Sequence, residues 1–230
     1  STVEIKRLKK ILYLGLPSAL HSFFEVAFFI SAVWMSGFIG KNSQAANQIA
    51  LNLSSMTYMV ALGVGVAAMI RVGNQRGMMN FKKLREVALS TILLIISIDV
   101  IFCIIFLLFN DSLPLLYLDP NNPSSLTDVN QVLEIASKLL IVAGVFQLFD
   151  GIQAVVLGAL RGMQDVNKPA IIIFLSYGVI GFPISYYLGF YTSLSMVGIW
   201  LGLLSGLFSS SLFLFLRFNY LSRKIIRLND

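Results

Sequence analysis

Six apolar runs, each long enough to cross about 30 Å of hydrocarbon as a helix, dominate this chain. They cover approximately residues 11–38, 45–70, 87–109, 132–160, 170–190 and 196–218. Lipid offers no partner to a free backbone N–H or C=O, so each run must satisfy its own hydrogen bonds. Each run is too long for a strand, which leaves the helix as the open choice. The expected fold class is therefore all-α: six transmembrane helices in one membrane domain over residues 1–230, with no soluble domain and no low-complexity segment.

Composition agrees. Of 230 residues, 57% are hydrophobic and only 12% charged, about half the roughly 25% charged share of a soluble domain. The mean hydropathy is +0.82. One cysteine, Cys103, and one histidine, His21, exclude a disulfide framework and a Cys/His metal cluster. The chain starts at Ser1 without a charged-then-apolar leader, so it is expected to be an internal piece of a longer polypeptide.

The net charge of +6 is explained by topology rather than by nucleic acid. Fifteen of the seventeen Lys and Arg residues fall on one side: the N-terminal arm, the loops after the second and fourth runs, and the C-terminal tail. Lys41 and Lys138 are the exceptions. The positive-inside rule then places both termini in the cytoplasm, as expected of a multi-pass protein of the plasma (inner) membrane. The longest loop, 110–131, is external and acidic, broken by Pro114, Pro120 and Pro123. Its segment 113–118 is too short to span and is expected to lie on the interface.

Three carboxylates sit at mid-depth: Glu25, Asp99 and Asp150. Glu25 is 15 residues from Lys10 and 16 from Lys41, roughly 22–24 Å either way at the helical rise. A charge at that depth costs roughly 2.5–3.5 kcal/mol even on the mildest scale, so it marks a partner or a path. Faces separate the three. Ser18, His21, Ser22 and Glu25 form one polar stripe at i, i+3, i+4 and i+7. Gln48, Asn52 and Ser55 form another, and Gln147 and Gln153 lie one turn either side of Asp150. Asp99 has Ile95, Ile96, Phe102 and Cys103 as turn neighbours and no polar company. Glu25 and Asp150 are thus expected to line a hydrated cavity, with His21, Ser22, Gln48, Asn52, Gln147 and Gln153 as supporting polar lining. Asp99 is expected to be structural, or to contact protein outside this chain. His21 is a candidate to hold or relay a proton, or a plain hydrogen-bonding partner.

Other features concern packing. Gly198, Gly202, Gly206 and Ser210 repeat every four residues, a small-residue seam for close helix contact. Ala154 and Gly158 continue from Asp150 at the same step. Pro17 and Pro183 are expected to kink or unwind their helices. Glu134 and Lys138 form an i,i+4 pair.

Several strings resemble a known family. The stretch Gly15-Leu-Pro17 through Phe24-Glu25 is similar to the seventh helix of MATE-family exporters (multidrug and toxic compound extrusion), NorM-like branch. Ala45-Ala-Asn-Gln48-Ile-Ala-Leu-Asn52, and Gly63 through Ile70-Arg71-Val-Gly73-Asn74, resemble the family's sequence beyond that helix. Phe146-Gln147-Leu-Phe-Asp150-Gly-Ile-Gln153, continuing to Gly158-Ala-Leu-Arg161-Gly162, resembles the tenth helix. The resemblance covers the whole chain.

It implies the C-terminal six-helix lobe of a twelve-helix secondary transporter, whose N-terminal lobe belongs to the same polypeptide. It also implies export of amphipathic, usually cationic, small molecules in exchange for Na+ or H+, with Glu25 and Asp150 helping to form the cation site. No catalytic residue and no cofactor beyond the coupling ion is implied. Two positions depart from the pattern: Phe146, where members of the branch can carry Tyr, and His21, where a neutral polar residue is expected. Two rival readings carry their own requirements. A lipid-linked oligosaccharide flippase of the same superfamily needs a basic cavity. An intramembrane serine protease needs a Ser nucleophile facing a His base, but Ser205-Gly206 lacks the usual Gly two residues before the Ser.

Overall fold

The computed structural model describes residues 5–121 and 126–229. It is all-helical over those residues: α1 (Ile5–Ile39), α2 (Lys41–Gly77), α3 (Phe81–Leu108), α4 (Leu126–Gly162), α5 (Asn167–Leu175), α6 (Phe182–Phe190) and α7 (Met196–Asn229). A π-helical turn, Ser176–Gly181, joins α5 to α6, so these form one span. Six candidate spans result, as the hydropathy predicts. Four helices have 34–37 residues, or roughly 51–56 Å, and therefore project well beyond the hydrocarbon. The helices outrun the predicted spans because their polar ends continue into water without a breaker.

Short joints set the antiparallel order. A single residue, Gly40, with φ 157°, separates α1 from α2, a conformation that disfavours a side chain. The Asn80 side chain accepts from Lys83 N at 3.1 Å and caps α3. The segment expected on the outer interface contains a 3-10 turn, Leu113–Leu116, with Leu115 and Leu116 exposed. Helix α4 begins at Leu126, inside the predicted loop, and Asp128 sits in its first turn. Pro123 lies outside the described residues.

The two proline expectations diverge. Helix α1 runs unbroken through Pro17. The fifth span does change register just before Pro183, which sits in the first turn of α6. Proline offers no N–H to the preceding turn, and the wider π repeat absorbs that vacancy.

Helix α4 is the axis of the lobe. Of its most apolar stretch 61% is buried inside the protein, against 22–50% for the other spans, and it packs on α2, α3 and α7. Small residues permit this. A Cβ on Gly65 would lie 2.8 Å from the Ala154 carbonyl oxygen, and one on Gly158 would overlap the Gly65 backbone. The α7 seam works likewise against the fifth span: Gly198 meets Leu188, Gly202 meets Ser185, and Gly206 meets Gly181 and Phe28. At the basic end, Arg85 donates to Asn219 Oδ1 (2.7 Å) and Ser222 Oγ (2.6 Å), and Arg217 pairs with Asp165 at 2.9 Å. Lys138 and Glu134 form the expected exposed pair at 2.8 Å. Large apolar side chains such as Trp34 and Phe38 cover much of the outside, as lipid contact requires.

Gly158→Val should therefore lower stability in detergent by at least about 1–3 kcal/mol, the usual cost of overpacking. Gly63→Ala, whose Cβ meets nothing within 4 Å, should leave the melting temperature unchanged or raise it. Equal melting of both variants by thermal scanning would contradict the tight α2–α4 contact.

Candidate functional site

Helices α1, α2 and α4 enclose a cavity of about 480 Å³ at mid-depth. Glu25 and Ser22 enter from α1, Ser54, Ser55 and Tyr58 from α2, and Asp150 from α4. Val26, Phe29, Leu51, Leu62 and Phe146 complete the wall. The lining is thus mainly apolar and aromatic, with two carboxylates. Asp150 is 5% exposed and the Glu25 side chain 12%. A second cavity of about 500 Å³ lies at the opposite ends of the helices, around Gly40, Gln131 and Lys138, and contains neither acid.

The two acids have unequal surroundings. Glu25 Oε1 accepts from Gln153 Nε2 at 3.3 Å, and His21 Nε2 faces Glu25 Oε2 at 3.6 Å. Arg161 reaches from the basic end of α4 to His21 Nδ1 at 2.9 Å. Gln153 is held in turn by Tyr177, whose hydroxyl donates to its Oε1 at 2.9 Å. Tyr177 stacks on Phe28 with centroids 4.5 Å apart. The π-helical turn positions Tyr177, so an irregular backbone supports the site from behind. By contrast, Asp150 Oδ1 has no hydrogen-bond partner among the described residues. Tyr58 lies within electrostatic reach of Glu25, Asp150 and Arg161.

The expected supporting lining divides. Ser22 lines the cavity, Gln153 braces Glu25 from α4, and His21 is buried one turn from Glu25. Gln147 does not line it: its Nε2 donates to the Asp99 carbonyl oxygen at 2.6 Å and the Gly144 carbonyl oxygen at 3.1 Å, tying α4 to α3. Three residues advance a helix by about 300°, so Gln147 and Gln153 lie about 60° to either side of Asp150. That offset aims Gln147 at α3 and Gln153 at Glu25. Gln48 and Asn52 are exposed on the open face of α2 and are not cavity lining. Asn52 is turned about 100° from the lining residue Leu51, and Gln48 sits a turn nearer the other end. Ser54, Tyr58, Arg161 and Tyr177 lie outside the expected set. Tyr58 follows Ser55 by three residues, and Arg161 follows Asp150 by eleven, three turns along one face, so spacing carries a signal for both.

Asp99 is the other difference. It does not reach out to further protein but is buried at 1% exposure, against α4. Gly151 leaves the room: a Cβ there would overlap the Asp99 carboxyl group. Both Asp99 carboxyl oxygens lack protein partners, and Asp99 lies within electrostatic reach of Asp150. Apolar turn neighbours on its own helix conceal this contact with another one.

The comparisons with known proteins decide the family. The MatE family model matches residues 17–187. The chain belongs to the MatE family. It is 36% identical over 217 residues to the probable multidrug resistance protein NorM of Agrobacterium fabrum, covering 94% of this chain and 45% of that protein. It is 33% identical over 228 residues to the multidrug resistance protein MdtK of Proteus mirabilis, covering 96% of this chain and 47% of that one. A crystal structure of a MATE protein in the straight conformation superposes with a TM-score of 0.87 at 19% identity, covering 98% of this chain and 49% of that chain. This MatE chain thus spans about half the length of the curated relatives it matches. It is a multi-pass membrane protein, with six helices able to span among the described residues.

Because Gly151 and Asp99 compete for one volume, Gly151→Ala should destabilise this lobe by about 1–3 kcal/mol. Asp99→Ala in the same chain should recover most of that loss. Additive rather than compensating effects in thermal unfolding would show that the two sites are independent.

Proposed function

We propose that this chain is the C-terminal lobe of a secondary multidrug transporter in the bacterial inner membrane, with both termini in the cytoplasm. In this reading the whole protein exports amphipathic organic cations in exchange for sodium or protons. The observation that carries it is the pairing of two carboxylates, the partly buried Glu25 and the buried Asp150, in one apolar, aromatic-walled cavity at mid-depth. Fifteen basic residues on one side support the orientation. The names of the relatives, multidrug resistance proteins NorM and MdtK, support the class of cargo.

The chemistry follows from charge and desolvation. Bare carboxylates in this mainly apolar cavity repel one another and are only partly solvated, so a bound cation or proton stabilises them. An organic cation offers the same neutralisation, with rings and methylenes that fit Phe29, Phe146 and Tyr58. The coupling ion is a transported substrate, and it and the drug neutralise one site alternately. Each favours a different packing of the two lobes, which gives exchange by alternating access.

The rival readings fit less well. A flippase for a pyrophosphate-linked lipid needs basic groups in the cavity, and this one is acidic. For a serine protease, Ser205 Oγ would have to meet a histidine base. It donates instead to the Gly202 carbonyl oxygen at 2.7 Å, and His21 is bonded to Arg161.

In the full-length protein, Asp150→Asn should abolish ion-driven efflux of a fluorescent organic cation from proteoliposomes while leaving membrane insertion intact. Sodium and proton gradients imposed separately name the ion. Export at the wild-type rate by the variant under both gradients would overturn the proposal.

A further inference from the structure

The acid pair is built asymmetrically, and the asymmetry originates at the basic end of α4. Arg161 Nη2 lies 2.9 Å from His21 Nδ1. A guanidinium only donates, so Nδ1 accepts, and a ring in this geometry is neutral with its hydrogen on Nε2. His21 is 5% exposed, and Nε2 has no hydrogen-bond partner. That nitrogen faces Glu25 Oε2 at 3.6 Å, just beyond hydrogen-bond reach. The other Glu25 oxygen accepts from Gln153.

Both Glu25 oxygens therefore face donors, and a guanidinium stands behind one of them. Asp150 has no such support: its Oδ1 is buried and unpartnered. The other titratable groups within reach, Tyr58, Tyr177 and Asp99, supply no positive charge.

We propose that His21 is a positioning residue: fixed as the Nε2–H tautomer by Arg161, it relays the guanidinium's field to Glu25 and leaves Asp150 as the acid that takes the coupling ion. This rests on the exchange reading above. Glu25, His21 and Arg161 together are electrically balanced, so a cation entering the cavity meets one uncompensated carboxylate instead of two. Removing the relay uncouples the guanidinium from Glu25, so an entering cation meets a second, less compensated carboxylate, which tightens cation binding and slows release.

The test uses the full-length transporter in lipid nanodiscs and proteoliposomes. Nitrogen-15 histidine spectra, with the His21 signal assigned by its loss in His21→Asn, should show the hydrogen on Nε2 and a bare Nδ1. A hydrogen on Nδ1 overturns the proposal, and this arm needs no destabilised variant. In efflux assays, His21→Leu and Arg161→Gln should each lower the half-saturating concentration of the coupling ion about tenfold, the usual scale of coupling between two sites. The double variant should add nothing further. His21→Gln, which keeps a neutral donor and acceptor at that position, should restore the wild-type value. Retention of ion-driven export by Asp150→Asn defeats the exchange reading. Its loss there, with ion dependence unchanged in His21→Leu and Arg161→Gln, defeats the His21 proposal alone.

Discussion

The backbones of α2 and α4 touch at Gly65 and Gly158 with no side chain between them, and the lobe is arranged around that contact. In lipid, apolar side chains gain little by leaving hydrocarbon for each other, so close packing of small residues holds helices together. The contact makes α4 the buried axis. It lies two turns from Asp150, and so sets how near that acid comes to Tyr58 and Ser54 on α2. On the opposite flank, Gly151 admits the Asp99 carboxyl group from α3. Helix α4 thus carries Asp150, Gln153 and Arg161, and the packing surfaces that place them.

A second consequence concerns polarity inside an apolar bundle. Several buried polar groups here serve helix contacts: Gln147 bonds α3, Trp200 Nε1 donates to Asn47 Oδ1 at 2.9 Å, and Ser185 donates to the Ile199 carbonyl oxygen at 3.0 Å. Asn47 Nδ2 and Gln147 Oε1 are also buried without a partner among the described residues, but the carboxyl groups are the acidic members of that set. Asp150 and Asp99 are buried with carboxyl oxygens that lack donors, a costly arrangement that packing alone does not require. Glu25, in contrast, accepts from Gln153 on α4 and faces His21 on its own helix. One cavity therefore holds an anchored acid and an open one.

Much of this is legible in residue order. Six long apolar runs dictate six helices. The step Asp150, Ala154, Gly158 marks the face that packs on α2, and Ser22 and Glu25 of the first polar stripe line one cavity. What the order hides lies between helices. Gln147 and Asp150 share a helix within one turn yet face different neighbours, a difference set by which helix packs on each side. Asp99 looks isolated because its partner surface, Gly151, belongs to another helix far along the chain. Arg161 reads as a topological charge, although its long side chain runs back into the bundle to His21. Pro17 and Pro183 are equivalent in sequence, and only the second coincides with a register change.

If drug and coupling ion neutralise the same acids, each excludes the other. Reciprocal linkage makes this measurable at equilibrium, without transport. The affinity of the full-length protein for a fluorescent organic cation should be measured in nanodiscs across a series of sodium concentrations and of pH values. Drug affinity should fall steadily as the coupling ion is raised, and Asp150→Asn should remove this dependence. Drug affinity unaffected by either ion in the wild-type protein would contradict exchange at a shared acid pair.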